Sequence, residues 1–142
     1  DYKEGHWSMG AIARTAGIDR GVFKTPIWGD PAGSIYNHET GFNYDGGEVY
    51  AESGPFKIGA GENLAVVTSL IPDELNLGDV TTTFKTRLYP TSTETSHGPF
   101  TMTQPTSVRL QGRQVRMKVT GNTPSLWRVG RFRFDAKQGG KR

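Results

Sequence analysis

The sequence predicts an all-β protein, an antiparallel β-sandwich preceded by short propeller-like β-hairpins, and three observations carry that expectation. Glycine supplies 19 of the 142 residues, about twice the average usage of roughly 7 %, and a helix interior loses about 1 kcal/mol for each Gly that replaces Ala. Sixteen Thr and eight Pro push the same way, toward short strands and many turns. From Glu48 onward, runs with apolar residues at every second position alternate with Gly-, Pro- and Asp-rich breaks, the pattern of a sandwich. A chain of this length buries about two-thirds of the surface it exposes when unfolded, so a core forms without staples. The absence of Cys removes disulfides, thiolate catalysis and Cys-based metal sites. No apolar run approaches the ~20 residues of a helical membrane span, and no membrane insertion is expected.

Residues 1–47 read as a hairpin segment, the end of a preceding propeller-like domain. Strands are expected at 11–14, 22–27 and 34–38, broken by Gly17, Gly21 and Pro26. Asp30-Pro31-Ala32-Gly33 is a turn, because Pro fixes φ and Gly supplies a positive φ. Asn43-Tyr44-Asp45-Gly46-Gly47 reads as a second, hairpin-type turn. Residues 48–136 read as the sandwich, with strands at 49–52, 55–58, 64–71, 80–89, 98–102, 107–110, 114–120 and 126–134. Residues 72–76 suit one turn of helix, and 137–142 read as a solvated basic tail. The chain opens on Asp1 without a charged and apolar leader, and is read as the C-terminal piece of a longer protein.

Period-two alternation assigns faces within each strand. Val80, Thr82, Phe84, Thr86 and Leu88 are expected inward, as are Val108, Leu110, Val115, Met117, Val119, Trp127, Val129, Phe132 and Phe134, with a β-bulge at Gly130 where the phase changes. Eight cations then face outward: Lys85, Arg87, Arg109, Arg116, Lys118, Arg128, Arg131 and Arg133. Charge is also split along the chain. Residues 1–84 hold 5 Lys/Arg against 12 Asp/Glu, and residues 85–142 hold 12 against only Glu94 and Asp135. The basic strands face a polyanion, meet an acidic neighbouring subunit, or are neutralised within the domain. No aromatic alternates with these cations on the outer face, so stacking on a single strand of nucleic acid is not supported, and any DNA is met non-specifically.

Catalytic constellations are absent from the sequence pattern. His6, His38 and His97 lack metal-ligand spacing, and no Gly-x-Ser-x-Gly elbow occurs. Glu39, Asp45, Glu48 and Glu52 cluster in the manner of a glycosidase pair, but they read as a solvated turn region. Gly59-Ala60-Gly61 has no helix N-terminus after it to cradle a phosphate, and Asp73, Glu74 and Asp79 lack the spacing of a calcium loop. No catalytic residue, metal or cofactor is expected. Trp7, Trp28, Tyr36, Tyr44 and Tyr50 beside these acids keep a carbohydrate-binding module open as an alternative. Burial of Trp28 and Tyr44 argues against it, and exposure in a groove beside Glu48 argues for it.

Several runs together resemble a family. They are Gly33-Ser34-Ile35-Tyr36-Asn37-His38-Glu39-Thr40-Gly41, Glu52-Ser53-Gly54-Pro55, Leu70-Ile71-Pro72-Asp73 and Arg87-Leu88-Tyr89-Pro90. Farther on come Gly112-Arg113-Gln114-Val115-Arg116-Met117, Trp127-Arg128-Val129-Gly130-Arg131-Phe132-Arg133 and Gly139-Gly140-Lys141-Arg142. In order and spacing, from about Gly10 to Arg142, the chain resembles the C-terminal part of tail nozzle proteins of tailed phages. These are also called packaged-DNA stabilisation proteins or tail tubular protein B. The resemblance implies a non-enzymatic virion protein of the tail, in which propeller-like β-domains precede this segment. It implies a homo-oligomer, a hexameric ring, beside portal, adaptor or other tail proteins. Double-stranded DNA passes nearby without sequence-specific contact, retained until infection and then released. The eight cations are its candidate DNA-channel or subunit-interface residues.

Overall fold

A computed structural model describes residues 5, 9–42, 44, 47–58, 63–72, 80–102, 104–121 and 130–141. Among them the fold is all-β, every strand pair is antiparallel, and there is no helix. Two compact units divide the chain, Asp1–Gly47 and Glu48–Arg142.

The first unit contains one three-stranded meander, β1 (Ala16–Ile18), β2 (Ile27–Gly29) and β3 (Ile35–Asn37). The β2–β3 turn is Asp30-Pro31-Ala32-Gly33, as its sequence predicts. Gly33 sits at φ +90°, and the Asp30 carboxylate accepts the Ser34 amide at 2.8 Å and the Tyr36 hydroxyl at 3.0 Å. Strands expected at 11–14 and 22–27 lie elsewhere. β1 begins five residues later and β2 is only Ile27–Gly29, because Gly17 is the residue that the Trp28 indole can lie against across the β1–β2 pair. A three-stranded meander is one strand short of a propeller blade.

The second unit is sandwich-like. One sheet runs β4 (Val49–Glu52), β10 (Gln114–Gly121), β7 (Val80–Arg87), β8 (Thr95–Thr101), with β5 (Phe56–Lys57) also paired to β10. The other runs β11 (Arg133–Lys141), β6 (Asn63–Ile71), β9 (Thr106–Gly112). Val80, Phe84, Val115 and Val119 from the first sheet meet Val67, Leu70, Val108 and Leu110 from the second in one buried core, which Met102 joins. Thr82 and Thr86 are buried with them. Each has an outlet for its hydroxyl, Thr82 to the Met102 sulfur at 2.8 Å and Thr86 to His97 Nε2 at 2.9 Å. Alternation in β7 and β9 therefore places side chains as the period-two reading requires.

The chain switches sheets between β9 and β10 at Gly112-Arg113, and there backbone approaches side chain closely. A Cβ on Gly112 would lie 2.9 Å from Thr86 Cβ. Residues 53–55 interrupt the edge opposite β10, where Ser53 Oγ accepts the Met117 amide at 3.0 Å.

Three expectations for this unit need correction. Leu88 is 44 % exposed, because β7 ends at Arg87. The last strand, Arg133–Lys141, runs past its expected end at 134, and Gly130 lies outside any strand, so no bulge forms at it; 126–129 of the expected strand lie outside the described residues. The register shifts fall instead at Asp135/Ala136 and Gln138/Lys141. Residues 137–141 are consequently not a solvated tail. They pair with β6, Lys137 opposite Val66 and Lys141 opposite Asn63, and Gly139 admits the Leu64 carbonyl at a distance where a Cβ would stand 3.3 Å away. Phe132 and Phe134 do pack against the core while Arg131 and Arg133 are exposed. The expected helical turn at 72–76 and the inward Trp127 and Val129 fall on or extend into residues outside those described, as do His6, Trp7, Asp45, Gly59-Ala60-Gly61, Asp73, Glu74 and Asp79.

Candidate functional site

Half of the eight candidate cations converge on the outer face of the five-stranded sheet. Lys85 and Arg116 are cross-strand partners on β7 and β10, and Lys118 stands opposite Glu52 of β4. The same alternation that sends Phe84 and Val115 inward sends these side chains outward.

Three glutamates from elsewhere in the chain meet them. Glu52 Oε1 receives Lys85 Nζ at 2.9 Å and an Arg116 guanidinium nitrogen at 2.9 Å. Arg116 also reaches Glu94 at 3.3 Å, and Arg87 approaches Glu94 at 3.8 Å while donating from Nε to Gln114 Oε1 at 2.7 Å. Lys118 pairs with Glu48, and its ammonium lies 4.3 Å from the centroid of the Tyr50 ring. The network joins β4, β10, β7 and the segment before β8 into one charged layer over the sheet.

The carboxyl of Glu52, 19 % exposed, is held below the usual carboxylate range. The Lys85 hydrogen bond is the main cause, with the charges of Arg116, Lys85 and Lys118 adding to it and burial opposing. Lys118 is held above the usual lysine value, first by its hydrogen bond to Glu48. Neutralisation within the domain thus accounts for Lys85, Arg87, Arg116 and Lys118. The signal missed in the sequence is the partner strand: Glu52 and Lys118 are 66 positions apart, and only the register of β4 on β10 brings them opposite.

The other candidates divide differently. Arg109 on β9, Arg133 on β11 and Arg131 just before it are exposed. None makes an ion pair among the described residues. Arg128 lies outside the described residues. A recess of about 330 Å³ at the end of the sandwich is lined by Arg87, Ser92, Thr93 and Gln111 among others, but the Arg87 guanidinium there is already engaged by Gln114 and Glu94.

In the first unit a polar–aromatic cluster occupies one face of the meander. Arg14 donates from Nε to His38 Nε2 at 2.9 Å and its guanidinium lies 4.3 Å from the Tyr36 centroid. Trp28 and His38 are tilted with centroids 6.2 Å apart. Trp28 and Tyr44 remain 40 % and 36 % exposed, so the burial that would argue against a carbohydrate-binding module is not met, although Gly17 lies against the Trp28 indole and Arg14 covers one face of Tyr36. Glu39, at φ +57°, pairs with Arg20 at 2.6 Å. No group of three or more His, Asp or Glu among the described residues is arranged to hold a metal ion.

No family model, curated protein or solved structure matches the chain.

Proposed function

We propose that this chain is a non-enzymatic structural module of a tailed-phage virion, part of the tail nozzle or head-to-tail channel that retains packaged DNA and lets it pass on infection. The sequence resemblance from Gly10 to Arg142 supplies the family. The observation that carries the reading is the division of the cations. Lys85, Arg87, Arg116 and Lys118 are spent within the domain, while Arg109, Arg131 and Arg133 remain exposed on the other sheet or beside it. Exposed Arg of one sign favours an external anionic partner, either phosphate or carboxylate. The partners of this reading are further copies of the chain in a hexameric ring, neighbouring portal, adaptor or tail proteins, and duplex DNA bound without sequence preference.

The test is light scattering of the full-length protein that carries this sequence, in moderate salt. A closed ring of several copies supports the reading, and a monomer at every salt concentration overturns it. Saturable binding to an oligosaccharide, lost when Trp28 is replaced by Ala, would transfer the assignment to a carbohydrate-binding module.

A further inference from the structure

We infer that β4 of one copy of this chain pairs antiparallel with β11 of the next, setting Glu48 against Lys137 and Glu52 against Arg133. The inference rests on the preceding reading only in taking the neighbour to be a second copy.

Both strands are sheet edges. Among the described residues β4 bonds only to β10, and β11 bonds only to β6. An unpaired edge is a template for another strand. β11 suits the role along Arg133–Gln138, where it runs without interruption. At its first register shift the extra residue is Thr68 of β6, and the second shift falls beyond Gln138, at the two glycines. β4 presents Val49 and Tyr50 as exposed apolar surface, Tyr50 at 54 %.

The side-chain pattern then specifies the register. Outward on β11 stand Arg133, Asp135 and Lys137, and on the outer face of β4 lie Glu48, Tyr50 and Glu52. Residues directly opposite in an antiparallel pair share a face, with Cβ atoms about 4.5–5.5 Å apart. With Glu48 opposite Lys137, Glu52 meets Arg133, Tyr50 brings its hydroxyl to Asp135, and Val49 and Ala51 meet Ala136 and Phe134. A slip of two residues in either direction sets a glutamate against Asp135. Pairing β4 with itself about Tyr50 opposes Glu48 and Glu52. Pairing β11 with itself about Ala136 satisfies Asp135 with Lys137 but leaves Arg133 opposite Gly139. Lys137 and Arg133 make no ion pair among the described residues, whereas Glu48 already holds Lys118 and Glu52 holds Lys85 and Arg116, so each carboxylate would be shared with the incoming cation. A parallel alignment matches the same charges, but every strand pair among the described residues is antiparallel, and parallel sheets need both faces covered. Joining two different edges is a heterologous contact, which propagates into a ring or a filament.

Because the chain has no Cys, disulfide trapping tests the register directly. Opposed Cα atoms in an antiparallel pair fall within the roughly 4.4–6.8 Å that a disulfide spans. Val49→Cys and Ala136→Cys variants of this 142-residue chain are oxidised separately and mixed. A crosslinked dimer that forms in the mixture well above either variant alone is the expected result. Crosslinking of Ala136→Cys alone would replace the proposal with β11 self-pairing, and equal or absent crosslinking in all three samples would overturn it.

Charge reversal gives a second readout. Lys137→Glu and Glu48→Lys should each weaken self-association about tenfold or more, and their equimolar mixture should restore it, since each edge again meets its opposite. Unchanged association in the single variants, or no recovery in the mixture of two folded variants, refutes the pairing. A full-length protein that forms a ring while the cysteines stay apart would leave the oligomeric reading intact and remove only this interface. Trapping without a ring would do the reverse.

Discussion

Replacing Glu52 with Gln removes one negative charge from the layer that holds β4 to the sheet. Its Oε1 takes both Lys85 and Arg116 at 2.9 Å, and these cations are about one-third exposed. A fully exposed ion pair is worth about 0.2–1 kcal/mol, and stripping the partner from a fully buried one costs about 3–5 kcal/mol. Two pairs at this intermediate burial place the loss at about 1–2 kcal/mol. For a domain the size of the second unit that is a fall in Tm of about 4–15 °C.

The pH dependence has a definite sign. Because the folded-state carboxyl is held below its ordinary value, its stabilisation is complete above the unfolded pKa of about 4.3 and disappears as pH falls through the folded pKa. Wild type and Glu52→Gln should therefore differ most at neutral pH and converge in acid. High salt should shrink the neutral-pH gap, since these charges remain partly solvated. Calorimetry at several pH values measures all of this. Equal Tm at neutral pH and low salt, or a gap that stays constant into acid, would refute the account.

Other consequences follow from the core, the sheet switch, the small meander and the exposed cations. Phe84→Ala should cost about 3–5 kcal/mol by chemical denaturation, since Phe84 is buried and packs against both Phe100 and Phe134 at centroid distances of 6.1 Å. Gly112→Val should lower stability by about 1–3 kcal/mol, because even the first added carbon meets Thr86 at 2.9 Å; an unchanged denaturation midpoint would contradict that close approach. Asp30→Ala should raise amide exchange at Ser34 without shifting the unfolding of the second unit, since its carboxylate accepts the Ser34 amide and the Tyr36 hydroxyl of the first unit. If duplex DNA meets Arg109, Arg131 and Arg133, replacing all three by Gln should reduce the slope of log affinity against log salt by about 0.9 for each phosphate that is no longer neutralised. The same change at Lys85, Arg87 and Arg116 should alter that slope less, and an equal effect from both sets would refute the division of the cations.

Much of the fold was readable because strand alternation is a local property. Val80, Thr82, Phe84 and Thr86 point inward because successive side chains in any strand point to opposite faces, and apolar residues at every second position reveal which face is buried. The 30–33 turn was readable for a similar reason, since Pro and Gly restrict or free their own backbone. Reading failed where a residue's state depends on a strand far along the chain. Residues 137–141 look like a polar tail, and they become a strand because β6 offers an open edge to them. Gly130 looks like a bulge, but its strand begins three residues later.

The candidate site shows the same boundary. Sequence alone determined that Lys85, Arg87, Arg116 and Lys118 leave the core side of their strands, because that requires only their own neighbours. Which carboxylates of the same chain those charges meet was decided by tertiary structure. The register of β4 on β10 and of β10 on β7 brings Glu48 and Glu52 to cations 33 to 70 positions away, and ion pairing falls off with distance in space rather than along the chain.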